Sequence, residues 1–298
     1  MAAALSGVLV ALATPFGPDG ELDETTLRAL VDRTIDGGVH GVVACGSTGE
    51  FSALTVDERR LVVETVVDQT AHRVPVIAQT GSTSTAEAVA LSRHAQSVGV
   101  DVVMPVAPFY EPLSLAETTN YLRRVASSVE IPVMLYNLPA VTGVDLTPDT
   151  VATLAREVEN IRYVKNTSPD MAQAAQLIHH YGDLVGTFVG WDSLILSSLV
   201  SGAAGVMAGT ANVVPAELVA VYDAVESGDL DAARQAWAVV YPLLDAALSV
   251  NYIAAVKVAL EAAGFPAGST REPTLSLEPA DARHIAQLAS AFRSQPVA

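Results

Sequence analysis

Two lysines stand among fourteen arginines in this chain of 298 residues, and one of them, Lys165, ends an apolar run in RYVKNTS (162–168). A lysine among apolar neighbours is desolvated, which disfavours the ammonium and favours the neutral amine that attacks carbonyl carbons. A guanidinium forms no Schiff base, so the use of arginine elsewhere makes Lys165 a candidate nucleophile. The alternative is a lysine that reaches the rim of the fold or pairs with Glu50 or Asp192.

A glycine-flanked loop, GSTGE at 46–50, is a second chemical feature. Gly46 and Gly49 allow backbone N–H groups to converge on an anion, and the hydroxyls of Ser47 and Thr48 can add hydrogen bonds or pass a proton. The loop is neither a Walker loop nor a dinucleotide fingerprint. It fits a carboxylate or phosphate site, and equally an ordinary strand-to-helix turn.

Two tyrosines, Tyr110 and Tyr136, stand at the ends of predicted strands. A phenol near Lys165 can shuttle protons while a carbinolamine forms and collapses. The alternative for each tyrosine is an aromatic ring that lines a pocket.

Eight apolar, β-branched runs alternate with amphipathic segments as far as position 226. Near-continuous apolar runs are typical of strands buried on both faces of a parallel sheet. Eight βα units in series favour a (β/α)8 TIM barrel over 1–226, with a C-terminal helical extension, 227–298, packed on it. An open doubly wound sheet is the alternative. The runs are 7–15, 41–47, 74–81, 101–108, 131–137, 161–167, 186–192 and 203–212.

Helix-start signals follow most of these runs. A hydroxyl residue three positions before glutamate predicts capping boxes at Thr55, Ser84 and Ser114. A hydroxyl residue directly before proline predicts starts at Thr147 and Ser168.

The pattern of the C-terminal extension predicts three helices, the first of them interrupted at Pro242. Lys257 lies in the second, in IAAVKVAL, and is interpreted as a snorkelling surface or interface residue. The segments are 230–250, 252–264 and 278–294.

Composition restricts the partners and the compartment. The formal net charge is −17 and basic residues cluster only in pairs, which argues against nucleic acid and anionic membranes. No apolar stretch reaches the roughly 20 residues of a membrane span. The single cysteine, Cys45, and an apolar N-terminus without a basic region favour a cytoplasmic protein over one with a signal peptide. The six histidines have no ligand spacing, so no metal site is predicted.

Three motifs occur in a set order: GSTGE at 46–50, YNLPAVTG at 136–143 and VKNTS at 164–168. With ATPF at 13–16 and GTAN at 209–212, they resemble the dihydrodipicolinate synthase / N-acetylneuraminate lyase superfamily over nearly the whole chain. The resemblance implies barrels that condense or cleave pyruvate as class I aldolases, through a lysine Schiff base and without a metal or organic cofactor. It also implies homotetramers built from tight dimers.

The resemblance also assigns roles by position. Lys165 matches the Schiff-base lysine, and Tyr136 matches the tyrosine beside it. Ser47 matches the hydroxyl residue that links this tyrosine to a second tyrosine. Tyr110 matches that second tyrosine, which in the family comes from a neighbouring subunit. Thr48 and the backbone around it match the site of the pyruvate carboxylate. The implied substrate-binding residues are Gly46, Thr48, Gly49, Thr167, Gly190, Asp192 and Met207.

Departures from the pattern bear on the substrate. Dihydrodipicolinate synthases carry an arginine for the carboxylate of aspartate semialdehyde at the position of Val141, so another aldehyde is implied. Asp192 matches a polyol-binding aspartate of sialate lyases. In those enzymes a glutamate follows the aspartate, whereas Ser193 follows it here. The expected substrate is a 2-keto-3-deoxy sugar acid of the gluconate type. Dihydrodipicolinate synthase, a sugar-acid dehydratase using the same lysine, and a non-catalytic ligand-binding barrel are the alternatives.

Overall fold

The computed structural model describes residues 5–111 and 113–293. Within them, eight parallel strands close into a barrel in chain order, with helices between successive strands. The predicted (β/α)8 barrel is confirmed, and the open doubly wound sheet is wrong. The strands are β1 (Gly7–Ala11), β2 (Gly41–Ala44), β3 (Val76–Gln79), β4 (Val102–Met104), β5 (Val133–Asn137), β6 (Ile161–Asn166), β7 (Gly186–Val189) and β8 (Gly205–Ala208).

The helices between the strands continue into a helical C-terminal part. The helices are α1 (Glu24–Asp36), α2 (Val56–Thr70), α3 (Thr85–Ser97), α4 (Leu115–Ala126), α5 (Pro139–Thr142), α6 (Pro148–Glu157), α7 (Met171–Tyr181), α8 (Ile195–Val200), α9 (Pro215–Glu226), α10 (Leu230–Leu248), α11 (Tyr252–Ala262) and α12 (Pro279–Ala289). Across the described residues, none of these helices has the length and apolarity needed to cross a membrane.

The chain groups into two compact units. One contains Pro75–Met207 with the N-terminal residues up to Gly7, and is called the lysine unit because it carries Lys165. The other contains Val8–Val74 and the chain from Ala208 onward, and is called the loop unit because it carries the 46–50 loop. The boundary predicted at position 226 coincides with the end of α9, but the division into a barrel domain and a tail domain stays a prediction.

The strands are buried as the apolar runs predict. Every residue of β1 to β5 and of β8 is buried. The strands are shorter than the runs, which extend past the strand at one or both ends. At 45–47 the end of the run belongs to the loop that carries Gly46 and Ser47.

Three of the predicted helix starts are confirmed together with their capping side chains. Thr55 and Ser114 form capping boxes, in which the hydroxyl accepts from the third N–H and the glutamate accepts from the cap N–H. Thr147 caps α6, which begins at Pro148.

At the other two predicted starts the capping differs: α3 begins directly after its N-cap Ser84, as predicted, but without the capping box. At α3 the glutamate of the expected box, Glu87, accepts a 2.6 Å hydrogen bond from Ser82 instead of bonding to Ser84. The helix after Ser168 begins later, because the Asp170 carboxylate accepts N–H groups from the first turn of α7 and is the true cap.

Helix α10 runs through Pro242 without a break, contrary to the prediction. Proline removes one backbone donor from a helix. The side chains of Val240, Leu243 and Leu244 are nevertheless buried on either side of it, and tertiary packing of an apolar face supplies most helix stability.

Strand β8 approaches the chain at Gly7 too closely for a side chain. A Cβ added at Gly205 would collide with the carbonyl oxygen of Gly7 and lie 2.7 Å from the Phe188 ring. We expect Gly205→Ala to lower the free energy of unfolding by about 3 kcal/mol, because overpacking forces backbone shifts. Urea denaturation measures this loss.

The matched control is Gly46→Ala, whose added methyl would meet Ala11 only at 3.9 Å. Its free energy of unfolding should change by less than about 1 kcal/mol. Equal losses in the two variants would contradict the steric explanation.

Candidate active site

Strands β5 and β6 pair in a register that sets Tyr136 opposite Lys165. The Lys165 side chain is 4% exposed, and its Nζ lies 4.2 Å from the centroid of the Tyr136 ring. Among residues 5–111 and 113–293, no carboxylate lies within ion-pair distance of this Nζ. The structure therefore places a buried lysine beside a phenol and excludes, for the described carboxylates, the ion pair considered as the alternative.

Gly190, directly after β7, leaves the space that the Lys165 side chain occupies. A Cβ at Gly190 would collide with Thr167 Oγ1 and lie 2.6 Å from Lys165 Cε. The Thr167 hydroxyl is buried and has no hydrogen-bond partner within the described part of the chain. The same small space is thus bordered by Lys165, Thr167 and Gly190. The Thr167 hydroxyl is available to a ligand there.

A polar network holds the ends of β5 and β6 from behind. Side chains alternate along a strand, so Asn137 and Asn166 face away from Tyr136 and Lys165. Asn137 Nδ2 donates to Asn166 Oδ1 at 3.0 Å and to Asp145 Oδ1 at 2.8 Å.

The same network extends into the helix layer. Gln173, in the first turn of α7, donates to Asp145 Oδ2 at 2.8 Å. The Leu146 N–H donates to Asn137 Oδ1 at 3.0 Å. The segment before α6 is thereby tied to the strand that carries Tyr136. Sequence reasoning assigned no role to these residues, although an amide follows each candidate in YN and KN.

In the loop unit, residues 45–50 form a tight turn. The Gly49 N–H donates to Gly46 O at 3.1 Å, and the Thr14 hydroxyl donates to Gly49 O at 2.7 Å. Cys45 and Glu50, at the two ends, have φ values of 56° and 54°. Left-handed backbone at non-glycine residues persists only where surrounding contacts hold it, and it concentrates at functional sites. The turn is thus a constrained one.

Thr48, at the middle of this turn, has open polar groups. No described residue of the chain is a hydrogen-bond partner for its amide or its hydroxyl. A Cβ at Gly209 would lie 2.8 Å from Thr48 Oγ1 and 2.7 Å from the hydroxyl of Tyr252, which accepts the Thr210 N–H at 3.1 Å. Tyr252 of α11 is therefore a neighbour of the loop that sequence reasoning missed.

Cys45 is not a competing nucleophile. Burial raises the pKa of the Cys45 thiol to about 11, so it stays protonated at neutral pH. Its Sγ donates to the carbonyl oxygen of Arg59 at 3.5 Å.

Lys257 is not the surface residue that its helical position suggested. Its Nζ lies 2.8 Å from Glu50 Oε1, and both side chains are 3% exposed. The interpretation as a snorkelling lysine was wrong, because the carboxylate that pairs with it is distant in sequence and invisible to helical periodicity.

Tyr110 stands apart from the buried residues of its unit. Its side chain is 82% exposed, so little of its own chain covers it. The remaining predicted residues of the lysine unit, Asp192 and Met207, are buried. The lysine unit carries Tyr110, Tyr136, Lys165, Thr167, Gly190, Asp192 and Met207, and the loop unit carries Gly46, Ser47, Thr48 and Gly49.

Comparison with known families agrees with this geometry. The model of the dihydrodipicolinate synthetase family matches residues 4–292. The chain belongs to this family. Members of the dihydrodipicolinate synthetase family are pyruvate-dependent lyases, so the protein is an enzyme of that class.

Individual relatives cover most of the chain. A 4-hydroxy-tetrahydrodipicolinate synthase from Pelobacter propionicus is 43% identical over 229 residues, 77% of this chain and 78% of that protein. A DapA-like lyase from Halobacterium salinarum is 40% identical over 278 residues, 93% of this chain and 90% of that protein. The structure of YagE from E. coli in complex with pyruvate is 31% identical, with a TM-score of 0.92, and the match covers 97% of this chain and 99% of that one.

The space at Gly190 gives a direct test of the site. We expect Gly190→Ala to displace the Lys165 side chain and to lower the rate of borohydride trapping with pyruvate by about 100-fold, because small misplacements of a reacting group have effects of this size. Intact mass spectrometry measures the trapped fraction, and circular dichroism verifies the fold. A folded Gly190→Ala variant that is trapped at the wild-type rate would contradict the placement of Lys165.

Proposed function

We propose that the protein is a class I aldolase that cleaves or forms a 2-keto-3-deoxy sugar acid of the gluconate type, with pyruvate and an aldehyde as the other reactants. The observation that carries the proposal is the buried Lys165, paired in register with Tyr136 and free of any described carboxylate partner. An amine in this setting is suited to attack a carbonyl carbon.

The mechanism begins with the attack of the Lys165 amine on the 2-keto carbon. Tyr136 passes a proton to the departing hydroxyl, water leaves and an iminium forms. The iminium accepts the electrons of the C3–C4 bond as the C4 hydroxyl loses its proton, which releases the aldehyde and leaves a pyruvate enamine. Protonation at carbon and hydrolysis return pyruvate and the free amine. Ser47 and Tyr110 are proposed to relay the protons of Tyr136.

The substrate carboxylate is assigned to the 46–50 loop. Thr48 offers an amide and a hydroxyl without partners in the described residues, and the loop is held in a constrained turn. Converging backbone N–H groups at such a turn bind anions.

The acceptor aldehyde is expected to carry hydroxyl groups rather than a carboxylate. No lysine or arginine occurs between Arg124 and Arg156, and Val141, 58% exposed, lies in the short helix α5 that follows β5. The one charged residue of 138–147 is Asp145, a carboxylate, so this segment has no cation to pair with an anionic aldehyde. The buried, unpartnered hydroxyl of Thr167 beside Lys165 suits a polyhydroxy chain.

Dihydrodipicolinate synthase is the second candidate. The relative from Pelobacter propionicus that is 43% identical is named 4-hydroxy-tetrahydrodipicolinate synthase. It would use the same Schiff base and would differ only in accepting aspartate semialdehyde. A sugar-acid dehydratase would also share the lysine, but its product keeps every carbon of the substrate.

The proposed assembly is a homotetramer built from tight dimers. An aromatic side chain that is 82% exposed, as Tyr110 is, is suited to reach into a neighbouring subunit. We propose that Tyr110 completes the proton relay of the partner chain.

Substitution of Lys165 tests the nucleophile. We expect both Lys165→Ala and Lys165→Arg to reduce pyruvate release from 2-keto-3-deoxygluconate by about a thousandfold or more, because the reaction needs an amine and not a positive charge. Chromatography of the products separates pyruvate and aldehyde from a dehydrated six-carbon acid. Substantial turnover by Lys165→Arg would contradict the mechanism.

Substitution of Val141 tests the acceptor. The wild-type enzyme should condense pyruvate with glyceraldehyde more efficiently than with aspartate semialdehyde. Val141→Arg should raise kcat/KM for aspartate semialdehyde by about tenfold, because a guanidinium pairs with the second carboxylate. Val141→Met, similar in length but uncharged, is the control. A wild-type preference for aspartate semialdehyde would overturn the sugar-acid assignment in favour of the synthase.

A further inference from the structure

The C-terminal part of the chain holds both carboxylate oxygens of Glu50, the last residue of the 46–50 loop. Lys257 Nζ lies 2.8 Å from Oε1, and the backbone N–H of Arg271 donates to Oε2 at 2.9 Å. Lys257 also donates to the carbonyl oxygen of Ser269 at 2.8 Å. One buried ammonium thus ties the loop to the segment 269–271.

The same segment is fixed around Phe16. Lys257 Nζ and the Arg271 guanidinium carbon each lie 4.3 Å from the centroid of the Phe16 ring. A Cβ at Gly268, where φ is +71°, would collide with the carbonyl oxygen of Phe16. The guanidinium of Arg271 in turn binds both oxygens of Glu58 and holds the pKa of that carboxyl down at about 2.

The backbone of Glu50 needs such support. Its φ of 54° lies in the left-handed region, which a residue with a side chain adopts only when its surroundings hold it there. The two contacts on its carboxylate come from Lys257 and Arg271, and both lie outside the loop. The turn's own hydrogen bonds, from the Glu50 N–H to Ser47 O at 3.0 Å and from the Ala53 N–H to Glu50 O at 2.8 Å, act on its backbone, and the two carboxylate contacts fix its side chain from outside the loop.

Burial of Lys257 makes its charge depend on Glu50. Burial lowers the pKa of Lys257, and the neighbouring Glu50 carboxylate opposes that shift. An isolated buried charge is strongly unfavourable, whereas a paired one is tolerated. The ammonium and the carboxylate therefore hold each other, and through them the loop is held.

We propose that Lys257 is a positioning residue, which through Glu50 keeps the 46–50 loop in the conformation that leaves the Thr48 amide and hydroxyl open to the carboxylate of a 2-keto acid. The inference rests on the proposed function, since it assumes that this loop binds that carboxylate. It gives the second lysine of the chain a role distinct from that of Lys165.

The test compares two ketones, one with a carboxylate and one without. Borohydride trapping, followed by intact mass, is measured over a range of pyruvate and methyl pyruvate concentrations. Lys257→Met should raise the half-saturating concentration of pyruvate by about tenfold and change the maximal rate by less than about threefold. The values for methyl pyruvate should not change, because the ester offers no charge to the loop.

Two further variants complete the experiment. Arg234→Met removes an exposed ion pair with Asp231 on α10 and should behave as the wild type. The double variant Glu50→Gln/Lys257→Met removes both charges of this buried pair, so neither is left without its partner, and we expect it to fold even if the single variant does not. It should show the same selective loss for pyruvate.

Two results would overturn the inference while the wild type is still trapped. One is a folded double variant with the wild-type half-saturating concentration of pyruvate. The other is an equal loss with pyruvate and methyl pyruvate, which indicates a general structural role. If the wild type is trapped by neither ketone, the proposed function fails and the inference fails with it.

Discussion

The pairing register of β5 and β6 is the constraint on which the candidate site depends. It sets Tyr136 opposite Lys165 on one face and Asn137 opposite Asn166 on the other. A slip by one residue would exchange the faces, burying the amides where the chemistry is needed. The hydrogen bonds among Asn137, Asn166 and Asp145 resist such a slip, because they form only in this register.

The two lysines illustrate how surroundings assign a role to the same side chain. Lys257 is buried against a carboxylate, and its ammonium is part of an ion pair. Lys165 is equally buried, but its neighbours include a phenol ring and the space left by Gly190, and no described carboxylate pairs with it. A buried amine without a counter-charge is suited to nucleophilic attack, whereas one with a counter-charge is suited to hold structure.

Local patterns predicted the parts of the fold that depend on local physics. Buried strands can be recognised in the sequence as apolar runs. The capping boxes at Thr55 and Ser114 can be recognised because each cap and its glutamate lie within one helical turn. Motif order likewise pointed to Lys165 and Tyr136. At Ser84 the helix start was right but the capping box was not, because a nearby hydroxyl, Ser82, donates to Glu87 instead.

Long-range contacts could not be predicted in this way. Nothing in the helix around Lys257 indicates that Glu50 lies against it, and nothing in GSTGE indicates that Gly209 and Tyr252 are neighbours of Thr48. Pro242 stays helical because of the side chains packed around it, which a local rule about proline does not include. These contacts arise only once distant segments are folded together.

The most direct measurement is the location of the trapped pyruvate. After borohydride reduction in the presence of pyruvate, the protein is digested and its peptides are sequenced by tandem mass spectrometry. The account predicts a reduced pyruvate adduct on Lys165 and an unmodified Lys257, the two lysines being the only side-chain amines of the chain. An adduct on Lys257, or no adduct on either lysine, would contradict it.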